Sequence, residues 1–365
     1  MNYQKIGFIG LGLIGGSIAK AIKHYFPDIR LYAHAHSQST ITEANKAGVT
    51  ENDSALPLSA FADMDIVFLC SPVQVNMDYL RKLAPILSPH TLLTDVGSVK
   101  GEIVTCANAL GLERQFIGGH PMTGSEKTGF MSADPLLLEN AYYILCENEA
   151  SDPEMLRHFR VFLTALGADV LMLDPHVHDH AVAAISHLPH IVAAALVNLI
   201  RKNDNTDQVM RTIAAGGFKD ITRIASSSPV MWQNICAENR DEILTLIDLY
   251  RDALDSCRSL VEARDTDSLL SFFSEAKEYR DSMPVRAKGL LPAALDFYVD
   301  LKDEAGQIAA VATLLAAVKL SIKNIGIVHN REFSDGVLHI EMYDAPSKEA
   351  AMAILKQHGY RLYGK

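Results

Sequence analysis

Short apolar runs alternate with helical patterns over the first half of the chain. Runs at Lys5–Gly10, Ile29–Ala33, Asp65–Cys70, Thr91–Val96, Gln115–Gly118, Ala141–Cys146 and Asp169–Leu173 each suit a strand. Some, such as Ile66-Val67-Phe68-Leu69-Cys70, are apolar at every position. A strand apolar on both faces must be covered on both, as in a parallel sheet flanked by helices. Residues 1–175 therefore predict a doubly wound α/β domain.

The strand pattern stops near residue 176. Over 176–292 the periodicity predicts helices at Asp179–Lys202, Asp207–Ala214, Pro229–Leu260 and Thr266–Met283. The stretch Ile191–Leu196 is apolar over most of its circumference, so it needs burial against other helices. This predicts an all-α domain that also pairs two copies into a homodimer. Strands return over 294–365. Asp296–Leu301, a turn, the helix Ile308–Ser321, strands Ile322–His329 and Val337–Met342, the helix Lys348–His358 and the strand Tyr360–Tyr363 give the order βαββαβ. That order predicts a ferredoxin-like α+β domain.

Composition narrows the partners. The net charge is -11 and no Lys/Arg block occurs, which argues against nucleic acid and anionic membrane. An anionic substrate needs a local basic pocket. The five cysteines (Cys70, Cys106, Cys146, Cys236, Cys257) are scattered, with no CxxC, as expected of reduced thiols in the cytoplasm. The start of the chain runs directly into a strand, with no signal peptide, and the apolar stretch Ile191–Ile200 is too short to span a bilayer.

The first chemical signal is Gly10-Leu11-Gly12-Leu13-Ile14-Gly15, placed between a strand and a helix. In that context the first glycine permits a tight turn, the second lets the backbone approach a pyrophosphate, and the third allows close helix–strand packing. The helix N-terminus offers N–H groups to the phosphates. The first domain is therefore expected to be a Rossmann domain that binds NAD or NADP. The acid that holds the adenosine ribose of NAD, expected about 20 residues on, is missing, and Ala35 stands in its place. His36 and Ser37 with Ser39 suit a 2′-phosphate, but no arginine accompanies them. Both cofactors stay open here.

Ser71-Pro72, Gly97-Ser98 and His120 all follow predicted strands, so they share the crevice at the carboxyl ends of the sheet with Gly10. A histidine beside a dinucleotide suggests an acid/base for hydride transfer. His120 is the expected catalytic base, and Ser98 is placed to orient it or to cap the helix Gly101–Leu110. In the helical half, His187 and His190 fall on one helix face. Lys219 and Arg223 are helical neighbours, and Asp220 can pair with Arg223, so these residues suit either a carboxylate grip or a surface ion pair. Trp232, the single tryptophan, reads by default as core. The histidine-rich loop Asp174–His180 superficially resembles a metal site, but no cysteine accompanies it and no metal is expected.

These segments together resemble the prephenate dehydrogenases of bacterial tyrosine biosynthesis, in the form with a C-terminal ACT domain. The resemblance rests on Gly10–Ser17, Thr94–Lys100, Gly119–Glu126, Ser186–His190, Ala215–Arg223 and Pro229–Trp232, in the family's order over the first 290 residues. It implies oxidative decarboxylation of prephenate to 4-hydroxyphenylpyruvate, with hydride passing to NAD(P)+. His120 would accept the hydrogen bond of the C4 hydroxyl and Ser98 would support it. His190 and Arg223 would hold prephenate, while Lys219, Asp220, Ser125 and Trp232 would line the pocket. The turn Asp303–Gly306 resembles the ligand loop of ACT domains, which implies L-tyrosine as an effector, although Ala305 replaces the usual proline. Two other readings are an arogenate dehydrogenase and a non-catalytic regulator that senses NAD(P) and an amino acid.

Overall fold

The computed structural model describes residues 3–124, 127–148, 150–283, 295–301, 304, 306–328 and 337–363. It divides into two compact units, Met1–Met283 and Pro284–Lys365.

The first unit is built on seven strands: β1 (Lys5–Ile9), β2 (Arg30–His34), β3 (Ile66–Leu69), β4 (Leu92–Asp95), β5 (Phe116–Pro121), β6 (Tyr142–Cys146) and β7 (Asp169–Met172). They lie in the order β2-β1-β3-β4-β5-β6-β7. The first five are parallel, so the order reverses between β1 and β3 and opens a crevice at their carboxyl ends. The sheet is not parallel throughout: β6 runs antiparallel to β5. A parallel return needs a crossover of a dozen residues or more, usually a helix. Among the described residues, β5 and β6 are joined by a loop with one 3-10 turn, Phe130–Ser132.

The apolar runs are buried as expected. All four residues of β3 are inaccessible. Phe68 points to one face and stacks on Phe8 with ring centroids 5.2 Å apart. Val67 and Leu69 point to the other, against Val73, Leu80 and Ile103 of two helices. Each such side chain contributes about 1.5–3 kcal/mol by leaving water. β5 extends past Gly118 to Pro121, so His120 is a strand residue rather than one in the following loop.

Helix follows β7 immediately. Asp174 caps the helix Pro175–Val182 by accepting the N–H groups of His176 and Val177, so the histidine-rich segment is helix and not loop. The backbone then widens into a π turn at Ala183–His187 and continues as the helix Leu188–Asn203. Pro189 has no N–H for the carbonyl one turn back, which accounts for the widening. The whole run, Pro175–Asn203, is 29 residues, long and apolar enough by length and composition to cross a membrane. The ten-residue limit read from the sequence was therefore too short. Pro229–Leu260 proves to be two helices, Pro229–Glu238 and Arg240–Ala263, divided at Asn239.

The second unit contains β8 (Asp296–Asp300), the helix Gln307–Ala317, β9 (Ile322–Val328), β10 (Val337–Met342), the helix Ala345–Gln357 and β11 (Leu362–Tyr363). Its sheet is antiparallel, in the order β11-β8-β10-β9. Phe297, Val299, Leu338 and Ile340 alternate onto the face covered by Val311, Leu315 and Leu355 of the helices. This is the ferredoxin-like arrangement. The boundary expected at 292–294 and residues Asp303 and Ala305 lie outside the described residues.

Candidate active site

The crevice is shaped by glycines. Gly10 has φ +95°, and a Cβ there would meet the Cys70 carbonyl oxygen at 2.8 Å. At Gly15 a Cβ would lie 2.6 Å from the Gly10 carbonyl oxygen, so the helix Leu13–Tyr25 packs directly on the turn. Gly12 is different: a Cβ would meet nothing within 4 Å among the described residues. It is therefore bare on the side where a phosphate would approach, and Gly12 provides no side-chain cap for the N–H groups of the helix. Leu11 is buried and Ile14 packs on the core, which anchors the turn. The neighbouring turn at Ser71-Pro72 is held by Asn76, which accepts the Ser71 N–H at 3.1 Å and donates to the Leu69 carbonyl at 3.2 Å. At the end of β2, His36 and Ser37 are exposed, and the Ser37 and Ser39 hydroxyls are 2.7 Å apart. These residues fit a dinucleotide, and Gly97 follows β4 at the same edge of the sheet.

A buried charge pair supports that edge. Asp95 and Lys100 are both fully buried and form an ion pair. Asp95 also accepts the N–H groups of Gly97 (2.8 Å) and Gly119 (3.2 Å), and Lys100 Nζ donates to the Gly119 carbonyl at 2.8 Å. Desolvating two charges costs several kcal/mol each, and full hydrogen bonding is what offsets it. Both polar groups of Gly119 are thereby fixed, one residue before His120.

His120 is half-buried on β5, opposite Ile144 of β6. Burial first, then the neighbouring His178, Lys100 and His187, hold its pKa well below the ordinary imidazole value. An imidazole uncharged at neutral pH can act as a base. Its ring is oriented by His178, with Nδ1 2.8 Å from His178 Nε2. Behind it, His178 Nδ1 is 2.8 Å from Asp179 Oδ1. Asp179 also accepts the Lys100 and Gly101 N–H groups, each at 2.7 Å. The helix Gly101–Ala109 is thus capped by Asp179, 79 residues away from Lys100, and not by Ser98, whose side chain makes no hydrogen bond among the described residues. His178 and Asp179 were missed as site residues because no local pattern marks a pairing of His120 with a residue 58 positions on.

The helical half supplies a second group. The His187 ring is buried, and Asn239 Nδ2 donates to its Nδ1 at 3.2 Å. Burial lowers the His187 pKa to about 4. His190 Nδ1 donates to the Ser186 carbonyl (2.9 Å), and its ring stacks on Trp232 at 3.9 Å. Trp232 is half-buried, not core, and its buried Nε1 has no hydrogen-bond partner among the described residues. Lys219 and Asp220 lie on the helix Gly216–Thr222, with Arg223 beginning the next turn. All three are exposed, and the surface pairing of Asp220 with Arg223 is not formed among the described residues. This segment packs on the helix that carries His190. Ser125 lies outside the described residues.

A glycine turn at the head of a Rossmann sheet, with a neutral imidazole near the carboxyl end of β5, suits a dinucleotide-dependent oxidoreductase. Residues 18–172 match the family described as prephenate dehydrogenase, nucleotide-binding domain, and residues 174–275 match prephenate dehydrogenase, dimerization domain. The chain is 40% identical over 368 aligned positions to the prephenate dehydrogenase of Bacillus subtilis, covering 100% of this chain and 99% of that one. Identity to the prephenate dehydrogenase of Lactococcus lactis is 36%, with 97% and 98% covered. The crystal structure of prephenate dehydrogenase from A. aeolicus in complex with hydroxyphenyl propionate and NAD+ superposes with a TM-score of 0.73 at 30% identity, over 78% of this chain and 99% of that one. Synechocystis arogenate dehydrogenase gives 0.70 at 34%, over 77% and 100%. The chain belongs to the prephenate dehydrogenase family and is an NAD-dependent oxidoreductase.

Proposed function

We propose that the protein converts prephenate to 4-hydroxyphenylpyruvate and CO2 in L-tyrosine biosynthesis. NAD+, when bound along the glycine turn, supplies the hydride acceptor. His120 accepts the hydrogen bond of the C4 hydroxyl, drawing on the O–H while hydride leaves C4. Ser98, in the turn after β4, supports both partners. Arg223 takes a carboxylate of the dianion, His190 holds the substrate with it, and Lys219, Asp220, Ser125 and Trp232 shape the pocket. Loss of CO2 makes the ring aromatic and the step irreversible. The observation that carries this reading is the uncharged His120 near the carboxyl end of β5, in the same sheet whose strand β1 ends at the dinucleotide turn.

The test is the absorbance of reduced nicotinamide with prephenate, run with NAD and with NADP. A rise with prephenate supports the assignment. Silence with prephenate and a rise with arogenate favours the second reading, which the likeness to Synechocystis arogenate dehydrogenase keeps in view.

The same proposal assigns the remaining parts. We read residues 1–175 as the cofactor domain, 176–292 as the substrate and dimerisation domain, and 294–365 as an ACT domain that takes L-tyrosine. Apolar side chains left uncovered in the helical part, such as Ile213 (71% exposed) and Phe273 (63%), support a homodimer. A monomer by light scattering at micromolar protein would contradict it. Such a dimer would cover part of the long apolar helix, in keeping with a cytoplasmic enzyme. Kinetics unchanged by millimolar L-tyrosine would remove the effector assignment.

A further inference from the structure

A base that takes the proton of a substrate hydroxyl must be bare at the nitrogen that faces it. The hydrogen bonds behind His120 determine which nitrogen that is. Asp179 Oδ1 receives the Lys100 N–H and contacts His178 Nδ1, and Oδ2 receives the Gly101 N–H. A carboxylate only accepts, so His178 Nδ1 carries its proton and donates. The Nε2 of a neutral His178 is then bare and accepts from His120 Nδ1–H at 2.8 Å. His120 is left with a bare Nε2. The other tautomer would turn an N–H toward the substrate and remove the base.

The surroundings also make His120 a poor resting place for a proton. Lys100 and His187 join burial and His178 in disfavouring its cation. The charge of Lys100 is itself shared with Asp95. His178 is fully buried, but it rests against the Asp179 carboxylate.

We propose that His178 and Asp179 act with His120 as a proton relay that stores the substrate's hydroxyl proton during the reaction. This rests on the prephenate reading above. The O–H bond breaks as an N–H bond forms at His120 Nε2. The His120 Nδ1–H bond breaks as an N–H bond forms at His178 Nε2, leaving an imidazolium against Asp179. Hydride leaves C4 for the nicotinamide, and the electrons of the departing carboxylate pass through the ring to the oxygen as CO2 leaves. Written with its ionised groups, the reaction consumes and releases no net proton: prephenate dianion and NAD+ give the 4-hydroxyphenylpyruvate anion, CO2 and NADH. The relay therefore runs backward and returns the proton to the phenolate. Asp179 and His178 are positioning residues, since neither touches the substrate in this scheme. Asp179 also ties the relay to the cap of the helix Gly101–Ala109, so one carboxylate sets both.

The test uses the full chain with His178→Gln, which keeps a hydrogen-bonding group near His120 but cannot carry a proton, and leaves the Asp179 cap in place. We expect kcat to fall about 10²-fold, the lower end of general-base help. NAD affinity, read from Trp232 fluorescence, should stay within twofold. The acid limb of kcat should move to higher pH, because His178 no longer opposes protonation of His120. Asp179→Asn should fall as far, and the double variant no further, since residues that act as a unit are not additive. A His178→Gln enzyme within threefold of the unmodified one, a loss equal at every pH with the limb unmoved, or additive losses would each overturn the relay. Turnover of prephenate by the unmodified enzyme tests the substrate reading separately. If only arogenate is turned over, the same ratios are read on arogenate, whose C4 chemistry is the same.

Discussion

Replacing Lys100 with methionine probes the frame beneath the site. The substitution removes an ammonium from a position with no solvent exposure and leaves the Asp95 carboxylate buried. Asp95 keeps the N–H groups of Gly97 and Gly119, but no cation remains beside it. Breaking a buried pair from one side costs about 3–5 kcal/mol, a large share of the roughly 5–15 kcal/mol that holds a folded protein. At about 2–4 °C per kcal/mol for a domain of this class, the melting midpoint should drop by on the order of 10 °C. Asp95→Asn in the Lys100→Met background should recover most of that, because the buried charge is gone. The assay is thermal unfolding of the two single variants and the double variant, followed by circular dichroism. A drop of under about 2 °C in Lys100→Met, or no recovery in the double, would refute the claim that the pair is desolvated and mutually dependent. Activity gives a second readout. Without the cation the His120 pKa rises, so the acid limb of kcat should move to higher pH.

Gly12→Ala should fold with an unchanged midpoint, since its Cβ meets nothing, yet weaken NAD binding at least about 10-fold by filling the phosphate approach; an unchanged affinity by calorimetry would move the cofactor elsewhere. Arg223→Ala should raise the prephenate KM about 10–100-fold through loss of a charge-assisted bond while leaving stability nearly unchanged, because the side chain is exposed; an unaltered KM would return it to the surface. Burial raises the Glu238 carboxyl to about 7, against the Gln74 N–H that it accepts and with Glu102 adding. The folded protein then holds a proton that the unfolded chain releases near pH 4.3, so this group's contribution is present at acid pH and lost as pH rises to about 7. Glu238→Gln should therefore gain on the order of 1–2 kcal/mol relative to the unmodified protein between pH 4.5 and 8, read from urea unfolding; a difference independent of pH would refute it. His187, lowered to about 4, gives the opposite slope below pH 6.5 in both proteins and drops out of that difference.

Particular elements show what could be read in advance. The strand at Ile66–Leu69 was legible because a fully apolar run has one comfortable place, inside a sheet covered on both faces. The turn at Gly10–Gly15 was legible because each glycine answers a local demand: a positive φ, an open approach, a close packing. The direction of β6 left only a weak trace, the lack of a helical pattern between it and β5. The π turn before Pro189 was equally faint, and it decides how His187 and His190 are presented.

The sequence by itself determined the alternation that makes the α/β sheet, the βαββαβ unit and the dinucleotide turn, and it singled out His120 as the candidate base, since each follows from periodicity, glycine geometry or residue chemistry along the chain. Only the tertiary structure decided that His120 leans on His178, that Asp179 caps a helix of the other half, and that Lys100 is buried against Asp95. Those contacts join residues brought together by folding. A hydrogen bond across 58 or 79 positions is fixed by the packing of whole elements, which no short window of sequence contains.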